Sequence, residues 1–395
     1  MRILYLVDSY RPARSACANR AVVLVEALRA AGHDVQVLAS SDSALDAPAG
    51  YEKPEHITFF RTFPLRQKSL VNRLRNNFGG QRESIKTARR MGSFDMIICT
   101  TPPLLLVSAA IKIAEEKGAK LVWDVRDVWP DVAYEMGSFS PKSLYGRFFA
   151  MIAQQGYRSA DLVCTVSPGK AAKLSRRFSR GEVVLVPNGV DQGFTALEPD
   201  PNMTERFGLG GSSPVCVYVG NIGLAQGLGT LLDIAAKRPE ARFLLFGNGA
   251  DRVSLEERAQ AEGIGNVRFC GLVDASGVRS ILATADVAYV PLVNSQLRDS
   301  IPTKLYEALS CGCPVLLAAE GDAADLLDEC GLGGHAAPED ADALLSEFDR
   351  LFGKPFSTEE RSRAAKWVLA NHSRQMFAHR FVEAIEKLEG GDDAR

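Results

Sequence analysis

The sequence predicts an α/β fold made of two doubly wound, Rossmann-like domains that face a central cleft. Three observations support this. The 395 residues suffice for two domains. Short β-branched runs alternate with stretches of helical periodicity, and this alternation stops at the turn formed by Pro187, Asn188 and Gly189 before it starts again. We therefore expect an N-terminal domain over residues 1–189, a C-terminal domain over 190–369 and a last helical segment over 370–395.

The first domain opens with a strand–helix–strand unit. Residues 3–7 are apolar, residues 20–31 follow helical spacing, and Gly32 stands where the end of a helix favours a positive φ, before the apolar run 35–39. Later apolar runs are typical of parallel strands that are covered on both faces. They lie at residues 96–100, 120–124, 162–166 and 183–186.

The second domain repeats the alternation. Strands are expected at residues 215–219, 243–246, 267–270, 287–290 and 315–318. Helices are expected at residues 229–236, 254–262, 276–284, 304–310, 325–329 and 341–351, with closing helices between 358 and 388. Ligands bind at the carboxyl ends of strands in open α/β sheets, so we expect the active site there.

Composition and charge restrict the class of protein. Hydrophobic residues make up 46% of the chain and charged residues 24%, which excludes a disordered chain. Residues 1–190 carry 27 Lys and Arg against 17 Asp and Glu, whereas the rest carries 19 against 31. A nucleic-acid binder would be basic along its whole contact face, so the pattern instead favours one half that meets another anionic partner.

The most basic segment is residues 61–90, with nine Lys or Arg and only Glu83 on the acidic side. Its apolar residues recur near helical spacing, so we expect an amphipathic helix on an anionic membrane surface. The cations assigned to the membrane or acceptor are Arg73, Arg75, Arg89 and Arg90. The alternative is a solvated basic helix or a loop that faces phosphate. Residues 142–158 are also basic and aromatic, but Phe148, Phe149 and Ile152 are expected to be core residues.

Other segments predict neither a membrane span nor export. The apolar run that begins at Leu104 is interrupted by Lys112, well short of the ~18 residues that a span needs. The first residues lack a cleavage site, and the eight cysteines include no C-x-x-C pair, as in proteins of a reducing compartment. We therefore expect a cytoplasmic protein, peripheral on the inner face of the cell membrane.

Two glycine-rich turns follow predicted strands of the second domain. In GNIGLAQG and FGNGAD, backbone N–H groups can approach a phosphate at the start of a helix. The candidate binding residues are Gly220, Asn221, Gly223, Gln226, Gly227, Gly247 and Asn248. For either turn the alternative is an ordinary tight strand-to-helix connection.

The segment DSIPTKLYEALSCGCP carries a second part of the candidate site. Pro302 favours a helix start, so Lys304 lies in a first turn and Glu307 one turn later on the same face. A cation near phosphate oxygens and a carboxylate near a ribose fit a sugar nucleotide, with Leu305 between them. The alternative is a plain salt bridge within the helix.

Six motifs together resemble the GT-B glycosyltransferases of retaining family 4, particularly the bacterial enzymes that make lipid-linked O-antigen, capsule and colanic-acid polysaccharides. They are GHDVQVL, RDVWPDV, ADLVCTVSPG, VPNGVD, GNIGLAQGL and PTKLYEALSCGCPV, and they span nearly the whole chain. The resemblance implies transfer from a nucleoside diphosphate sugar with retained configuration, no metal or other cofactor, and a last helix that crosses back to the first domain.

The resemblance also implies residue roles. Glu307 would hold the ribose hydroxyls, Lys304 the diphosphate and residues 220–223 the phosphate side. Asp299 would take the first acidic position of an E-x7-E motif, although Asp is one methylene shorter than the usual Glu. Relatives usually have a basic residue where this chain has Leu224.

Further departures affect the other loops. Gln226 replaces a common Lys or Arg, and Ser15-Ala16-Cys17 replace a glycine pair, so we expect Arg14 or Arg20 to supply the missing cation.

A candidate catalytic carboxylate follows a predicted strand of the first domain. Asp127, or alternatively Asp124, could orient the acceptor hydroxyl or accept its proton. The alternative is a carboxylate that caps the next turn and pairs with Arg126. The single D-x-D pair, Asp340 and Asp342, precedes a predicted helix, where Asp is favoured as an N-cap, so no metal site is predicted.

These observations predict a retaining glycosyltransferase of surface polysaccharide synthesis. It would move an N-acetylhexosamine from a UDP-sugar to a polyprenyl-diphosphate-linked glycan. Three alternatives remain open: a glycosyltransferase with a soluble small-molecule acceptor, a UDP-sugar 2-epimerase with the same architecture, and a noncatalytic partner subunit that has lost phosphate cations.

Overall fold

The computed structural model describes residues 1–13, 15–45, 47–48, 50–62, 70–196, 200–209, 211 and 213–390, and it describes only the backbone of residues 70–75 and 225. The chain forms two compact units. Unit 1 comprises Met1–Asn188 and Gln375–Arg395, and unit 2 comprises Gly189–Arg374. Each unit contains a parallel sheet flanked by helices, which confirms the predicted fold class of two Rossmann-like domains.

Unit 1 has a seven-stranded sheet in the order β3-β2-β1-β4-β5-β6-β7. Its strands are β1 (Arg2–Val7), β2 (Asp34–Ser40), β3 (Ile57–Phe60), β4 (Met96–Thr101), β5 (Lys120–Val125), β6 (Leu162–Thr165) and β7 (Val183–Leu185). Its helices are α1 (Ala16–Ala30), α2 (Leu70–Ala88), α3 (Leu105–Lys117), α4 (Asp131–Glu135), α5 (Leu144–Ser159) and α6 (Pro168–Ser175).

Strand β1 shows why this sheet is covered on both faces. Its side chains alternate, so Leu4 and Leu6 join one apolar layer while Ile3, Tyr5 and Val7 join the other. All five are fully buried. A strand with two buried faces has no polar alternation, which is why it appears in the sequence as a continuous apolar run.

The ends of α1 follow from local sequence. Ser15 accepts a hydrogen bond from Ala18 N–H (3.1 Å) and caps the helix. At the other end Gly32 adopts a φ of +89°, which confirms the predicted role of that glycine.

Unit 2 has a six-stranded parallel sheet in the order β10-β9-β8-β11-β12-β13. Its strands are β8 (Val215–Val219), β9 (Arg242–Phe246), β10 (Val267–Gly271), β11 (Val287–Pro291), β12 (Val315–Ala318) and β13 (Gly333–Ala336). Its helices are α7 (Pro201–Phe207), α8 (Gly229–Lys237), α9 (Arg252–Ala261), α10 (Ala275–Thr284), α11 (Thr303–Ser310), α12 (Asp322–Cys330), α13 (Ala341–Gly353) and α14 (Thr358–Asn371).

The last helix, α15 (Arg374–Gly390), belongs almost entirely to unit 1. Phe377, Phe381 and Ile385 recur at spacings of four residues and are buried in the apolar layer that contains Tyr5 of β1. Lys120 also donates a hydrogen bond to Leu388 O (2.8 Å). The chain therefore leaves unit 1 after Asn188 and returns to it at Gln375. Within the described residues, no helix is both long and apolar enough to cross a membrane.

Candidate functional site

Two glycine-rich loops of unit 2 pack against each other at the carboxyl edge of the sheet. They follow the adjacent strands β8 and β9. Gly220 N–H donates to Phe246 O (2.9 Å), and Ile222 N–H donates to Asn248 O (2.9 Å). The predicted turns therefore form one layer of backbone at the position where open α/β sheets bind ligands.

The glycines of the second loop allow this close approach. A Cβ atom on Gly247 would overlap the carbonyl oxygen of Gly220, and a Cβ on Gly249 would overlap that of Ile222. Gly247 also has a φ of +143°, which L side chains rarely adopt. The close packing of the two loops thus accounts for the glycines of FGNGAD without a bound phosphate, as the alternative of an ordinary tight strand-to-helix connection predicts. The exposed Asn248 accepts a hydrogen bond from Gly249 N–H (2.9 Å).

Lys304 lies against the first loop. Its Nζ donates to the hydroxyl of Tyr218 (2.8 Å) and to Gln226 Oε1, and it sits 4.4 Å from the centroid of the Tyr218 ring. A Cβ atom on Gly220 would lie 3.3 Å from Lys304 Cε. Burial lowers the pKa of Lys304 to about 8, against the opposing effect of Glu307. The Lys304 ammonium is therefore largely shielded from water, and few other groups compete with a ligand for its hydrogen bonds.

Glu307 follows one turn later on α11. Burial raises the pKa of its carboxyl, while the cations Arg374 and Lys304 oppose that rise. Two cations therefore influence the pKa of this carboxyl. Among the described residues, however, Lys304 and Glu307 form no salt bridge with each other, and the ammonium instead hydrogen-bonds Tyr218 and Gln226. A buried carboxylate of this kind is suited to accept hydrogen bonds from a pair of hydroxyl groups.

Other predicted residues of unit 2 have different environments. Asp299 lies in the loop before α11 with only 7% of its surface exposed. Leu305 is fully buried in the core of the unit, so the structure corrects its assignment: its side chain packs inside and presents no surface to a ligand. Gly223 is buried beneath the exposed Asn221, and Gly227 adopts a φ of +61°.

Sequence reasoning missed Tyr218. The residue is embedded in the apolar run of β8, which predicts an ordinary core side chain. The ring is indeed buried, but its hydroxyl donates to Asn221 O (2.6 Å) and accepts from Lys304. The sequence signal that could have identified Tyr218 as a site residue is its position near the carboxyl end of the strand. Tyr218 thus links the glycine loop to the cation.

In unit 1, Arg20 and Asp124 form a buried ion pair. Arg20 Nε and Nη2 donate to the two carboxylate oxygens of Asp124 at 3.0 and 2.8 Å, and Nη1 donates to Val186 O (2.7 Å). This contradicts the expectation that Arg20 supplies a phosphate cation, because its donors are engaged inside the unit. Asp124 is fully buried, so it is also excluded as an acceptor base. Arg14 lies outside the described residues.

Asp127 is placed differently from Asp124. It is half-buried after β5, and its backbone oxygen accepts from Trp129 N–H (2.9 Å). The alternative pairing with Arg126 is not found: Arg126 Nε donates to Thr100 Oγ1 (3.2 Å) and Nη2 to Pro102 O (3.0 Å). Within the described part of the chain, the carboxylate of Asp127 therefore keeps its lone pairs available.

The four predicted membrane-facing cations are only partly described. The side chains of Arg73 and Arg75 lie outside the described residues. Arg89 makes two hydrogen bonds to Glu116, at 2.8 and 2.6 Å, so its charge is locally compensated. Arg90, at the end of the same segment, is exposed.

The D-x-D pair has a structural role. Asp340 accepts a hydrogen bond from Ala343 N–H (3.0 Å) and caps α13, as predicted, and Asp342 pairs with Lys237 at 2.5 Å. Among the described residues, no group of three or more His, Cys, Asp or Glu side chains is arranged to hold a metal ion.

Comparison with known families identifies the class. The chain matches the family model described as a glycosyl transferase 4-like domain over residues 15–189, and the one described as glycosyl transferases group 1 over residues 200–367. Each match covers most of one α/β unit. The chain belongs to the GT-B glycosyltransferases of family 4, which confirms the family that its motifs predicted.

The individual relatives named here have low sequence identity to this chain, but their matches cover most of its length. The chain is 25% identical to WbjE of Pseudomonas aeruginosa, named as a glycosyltransferase, over 68% of each chain. It is 24% identical to WcaI of Escherichia coli K12, named as a colanic acid biosynthesis glycosyl transferase, over 88% of this chain and 91% of that one. The crystal structure of Anabaena Alr3699/HepE in complex with UDP-glucose shares the fold, with a TM-score of 0.72 at 17% identity over 98% of this chain and 100% of that chain.

Proposed function

We propose that the protein transfers an N-acetylhexosamine from a UDP-sugar to a polyprenyl-diphosphate-linked glycan, with retained configuration, in bacterial surface polysaccharide synthesis. Unit 2 would bind the donor and unit 1 the acceptor. The main support is the cluster formed by Lys304, Tyr218, Gln226 and the Gly220 loop, with Glu307 one turn away. The name of WcaI, which concerns colanic acid, favours a polysaccharide product.

The chemistry of the donor explains why this cluster suits it. As the bond between the sugar and the diphosphate breaks, negative charge builds on the leaving phosphate oxygens. The Lys304 ammonium and the N–H groups of the glycine loop would stabilise that charge, and Glu307 would accept hydrogen bonds from the ribose hydroxyls. The HepE complex with UDP-glucose, of the same fold, supports a sugar-nucleotide donor.

Calorimetric titration of UDP in the presence of EDTA tests the donor site. We expect micromolar binding to the unmodified protein, on the order of −8 kcal/mol. Glu307→Ala and Lys304→Met should each weaken it by about 10- to 100-fold, since a hydrogen bond to a charged group contributes ~1.5–3 kcal/mol. The exposed residues Glu329 and Lys366 provide matched controls, and Glu329→Ala and Lys366→Met should bind UDP normally.

The outcomes separate the proposal from its alternatives. Absence of UDP binding would contradict the donor assignment and favour a noncatalytic subunit. If UDP binds, incubation with UDP-N-acetylglucosamine and a polyprenyl-diphosphate-linked saccharide should yield an elongated lipid and free UDP. A free epimeric sugar nucleotide or free N-acetylmannosamine without transfer would instead indicate an epimerase, and transfer to small molecules in the absence of lipid would indicate a soluble acceptor.

A further inference from the structure

Unit 1 contains a cavity between its helices whose described lining includes none of the predicted site residues. Its volume is about 650 Å³, within the range of small-molecule sites. Arg147, Met151 and Gln154 lie one helical turn apart on one face of α5, and Arg176 and Arg177 come from the turn after α6. The start of α4 closes the third side. Three helices therefore contribute to one concave surface.

The lining of this cavity is cationic. Arg147, Arg176 and Arg177 contribute three guanidinium groups, whereas Asp131 is the one acidic side chain among the described lining residues. The side chains of Arg147 and Arg176 form no hydrogen bond or ion pair with any described residue. Two positive charges therefore face the cavity without a counter-charge from the described part of the chain.

The carboxylates of α4 do not compensate these two charges. Both oxygens of Asp131 accept hydrogen bonds from Arg177, at 3.2 and 2.5 Å. Glu135, one turn later, is paired with Lys173 of α6 (2.9 Å). Helix α5 itself contains no acidic residue. The excess of positive charge is thus a property of the cavity and not of one side chain.

Tyr157 adds a buried hydrogen-bond donor to the same cavity. Only 4% of the residue is exposed, and its ring centroid lies 4.7 Å from that of Trp123 in β5. Burial raises the pKa of Tyr157 to about 12, whereas Arg177 opposes the rise, so the hydroxyl keeps its proton at neutral pH. Arg177 can only donate, and none of the described residues accepts the phenolic proton. A buried donor of this kind favours a ligand that supplies an acceptor.

The charge and the donors together select a phosphate group. Guanidinium groups bind phosphate oxygens through paired N–H donors. A phosphate monoester carries a charge of about −1.5 to −2 at neutral pH, which matches the two uncompensated arginines. A carboxylate would balance only one of them, and a neutral sugar neither. Met151 is 59% exposed in this lining, so an apolar substituent on the phosphate can also make contact.

We propose that this cavity binds the phosphate group of a phosphate monoester, held by Arg147, Arg176 and the Tyr157 hydroxyl. Two sources present such a group: a soluble phosphate ester and the headgroup of an anionic lipid such as phosphatidic acid. The proposal does not depend on the proposed sugar transfer, because it needs neither the cluster around Lys304 nor an acceptor glycan.

Calorimetric titration with glycerol 3-phosphate and with dihexanoyl phosphatidic acid, below its micellar concentration, tests the site. At least one of these probes should bind saturably. Arg147→Gln with Arg176→Gln should weaken that binding by about 100-fold, and Tyr157→Phe by about tenfold, because each change removes a hydrogen bond to a charged group. Tyr157→Phe keeps the ring that packs on Trp123, so it should fold normally.

A matched control separates this site from general charge attraction. Lys142 precedes α5 and Arg158 lies near its end, and both are exposed and outside the described lining of the cavity. Lys142→Gln with Arg158→Gln removes the same number of charges and should bind the probe normally. Thermal melting provides a second readout: the probe should raise the melting temperature of the unmodified protein and of this control, but not that of the double arginine variant.

The two probes distinguish the sources of the phosphate. At least tenfold tighter binding of the phosphatidic acid would identify a lipid headgroup, whereas a smaller difference would identify a soluble ester. Failure of both probes to bind, or unchanged affinity in the double arginine variant, would overturn the proposal.

Lys304→Met shows whether the probe instead occupies the candidate donor site. This variant should bind the probe normally, and the double arginine variant should bind UDP normally. Loss of probe binding in Lys304→Met alone would place the phosphate at the Gly220 loop and overturn the proposal. Normal probe binding without UDP binding would contradict only the donor site.

Discussion

At the scale of single residues, Lys304 has the clearest electrostatic consequence. It is held between the Tyr218 hydroxyl and Gln226 beside the Gly220 loop, and burial lowers its pKa to about 8. The Lys304 side chain is therefore charged at neutral pH, but it loses its proton at a lower pH than an exposed lysine does. Since a diphosphate favours the ammonium form, binding and protonation are linked.

The affinity for UDP should accordingly depend on pH. Below about pH 8 the ammonium is already present, so the affinity should be nearly constant. Above pH 8 binding must first restore the proton, and the affinity should fall by up to about tenfold per pH unit. Calorimetry between pH 7 and 9.5 measures this slope.

Two variants test whether Lys304 causes that slope. Lys304→Arg keeps its charge over this range and should remove the slope, whereas the control Lys366→Met should retain it. Lys304→Met should bind weakly at every pH and melt no earlier than the unmodified protein at pH 7, because a buried cation has been removed. An unchanged slope in Lys304→Arg would contradict the assignment.

Residue roles were harder to predict than residue positions. The motif that contains Lys304 and Glu307 was identified from spacing, but the buried pairing of Arg20 with Asp124 joins residues 104 positions apart. Spacing within a motif contains no information about such a partner.

At the scale of elements, the two glycine loops of unit 2 depend on each other. Gly247→Ala should destabilise the protein by about 3 kcal/mol, because its Cβ would overlap Gly220 O and the backbone has a φ of +143°. Thermal or urea denaturation measures the loss. Gly353, at the end of α13, has open space where a Cβ atom would lie, so Gly353→Ala should leave stability nearly unchanged. If Gly247→Ala left the stability unchanged, this would show that the two loops can move apart.

Most strands were predictable from the sequence, but some elements of similar length were not. Buried strands such as β1 and β4 appear as apolar runs, and the helices between them show a clear period. The four-residue strands β3 and β13 were missed, as was α7. The sequence of β13, GGHA, has low intrinsic strand preference and is a strand because it pairs with β12. Such elements are determined by neighbours that local sequence does not identify.

At the scale of the whole molecule, the basic first half is accompanied by exposed apolar residues on unit 1. Phe149 and Ile152 of α5 are buried, as predicted, but Leu144 and Met151 on another face are 83% and 59% exposed. Arg147 lies on that face, and α5 contains no acidic residue. A surface that is both cationic and apolar is suited to an anionic membrane, which extends the predicted site beyond residues 61–90.

Vesicle sedimentation tests this membrane contact. Replacing Arg73, Arg75, Arg89 and Arg90 by Gln should lower binding to vesicles with 30% phosphatidylglycerol by roughly 100-fold at low salt, at ~1 kcal/mol for each unpaired cation near the surface. Arg89 should contribute least, because Glu116 compensates it. The difference in vesicle binding between the variant and the unmodified protein should shrink as the salt concentration increases, because screening also weakens vesicle binding by the unmodified protein.

A second variant separates the apolar contribution from the charge. Leu144→Ser with Met151→Ser should weaken vesicle binding at all salt concentrations, because burial of apolar surface is not screened. The exposed residues Val253 and Leu272 of unit 2 offer a matched control, and Val253→Ser with Leu272→Ser should bind vesicles normally. If the charge variant binds as the unmodified protein does while the serine variant on α5 does not, the membrane contact lies on α5 and the basic segment faces solvent. Normal binding by both variants would exclude the membrane contact on either surface.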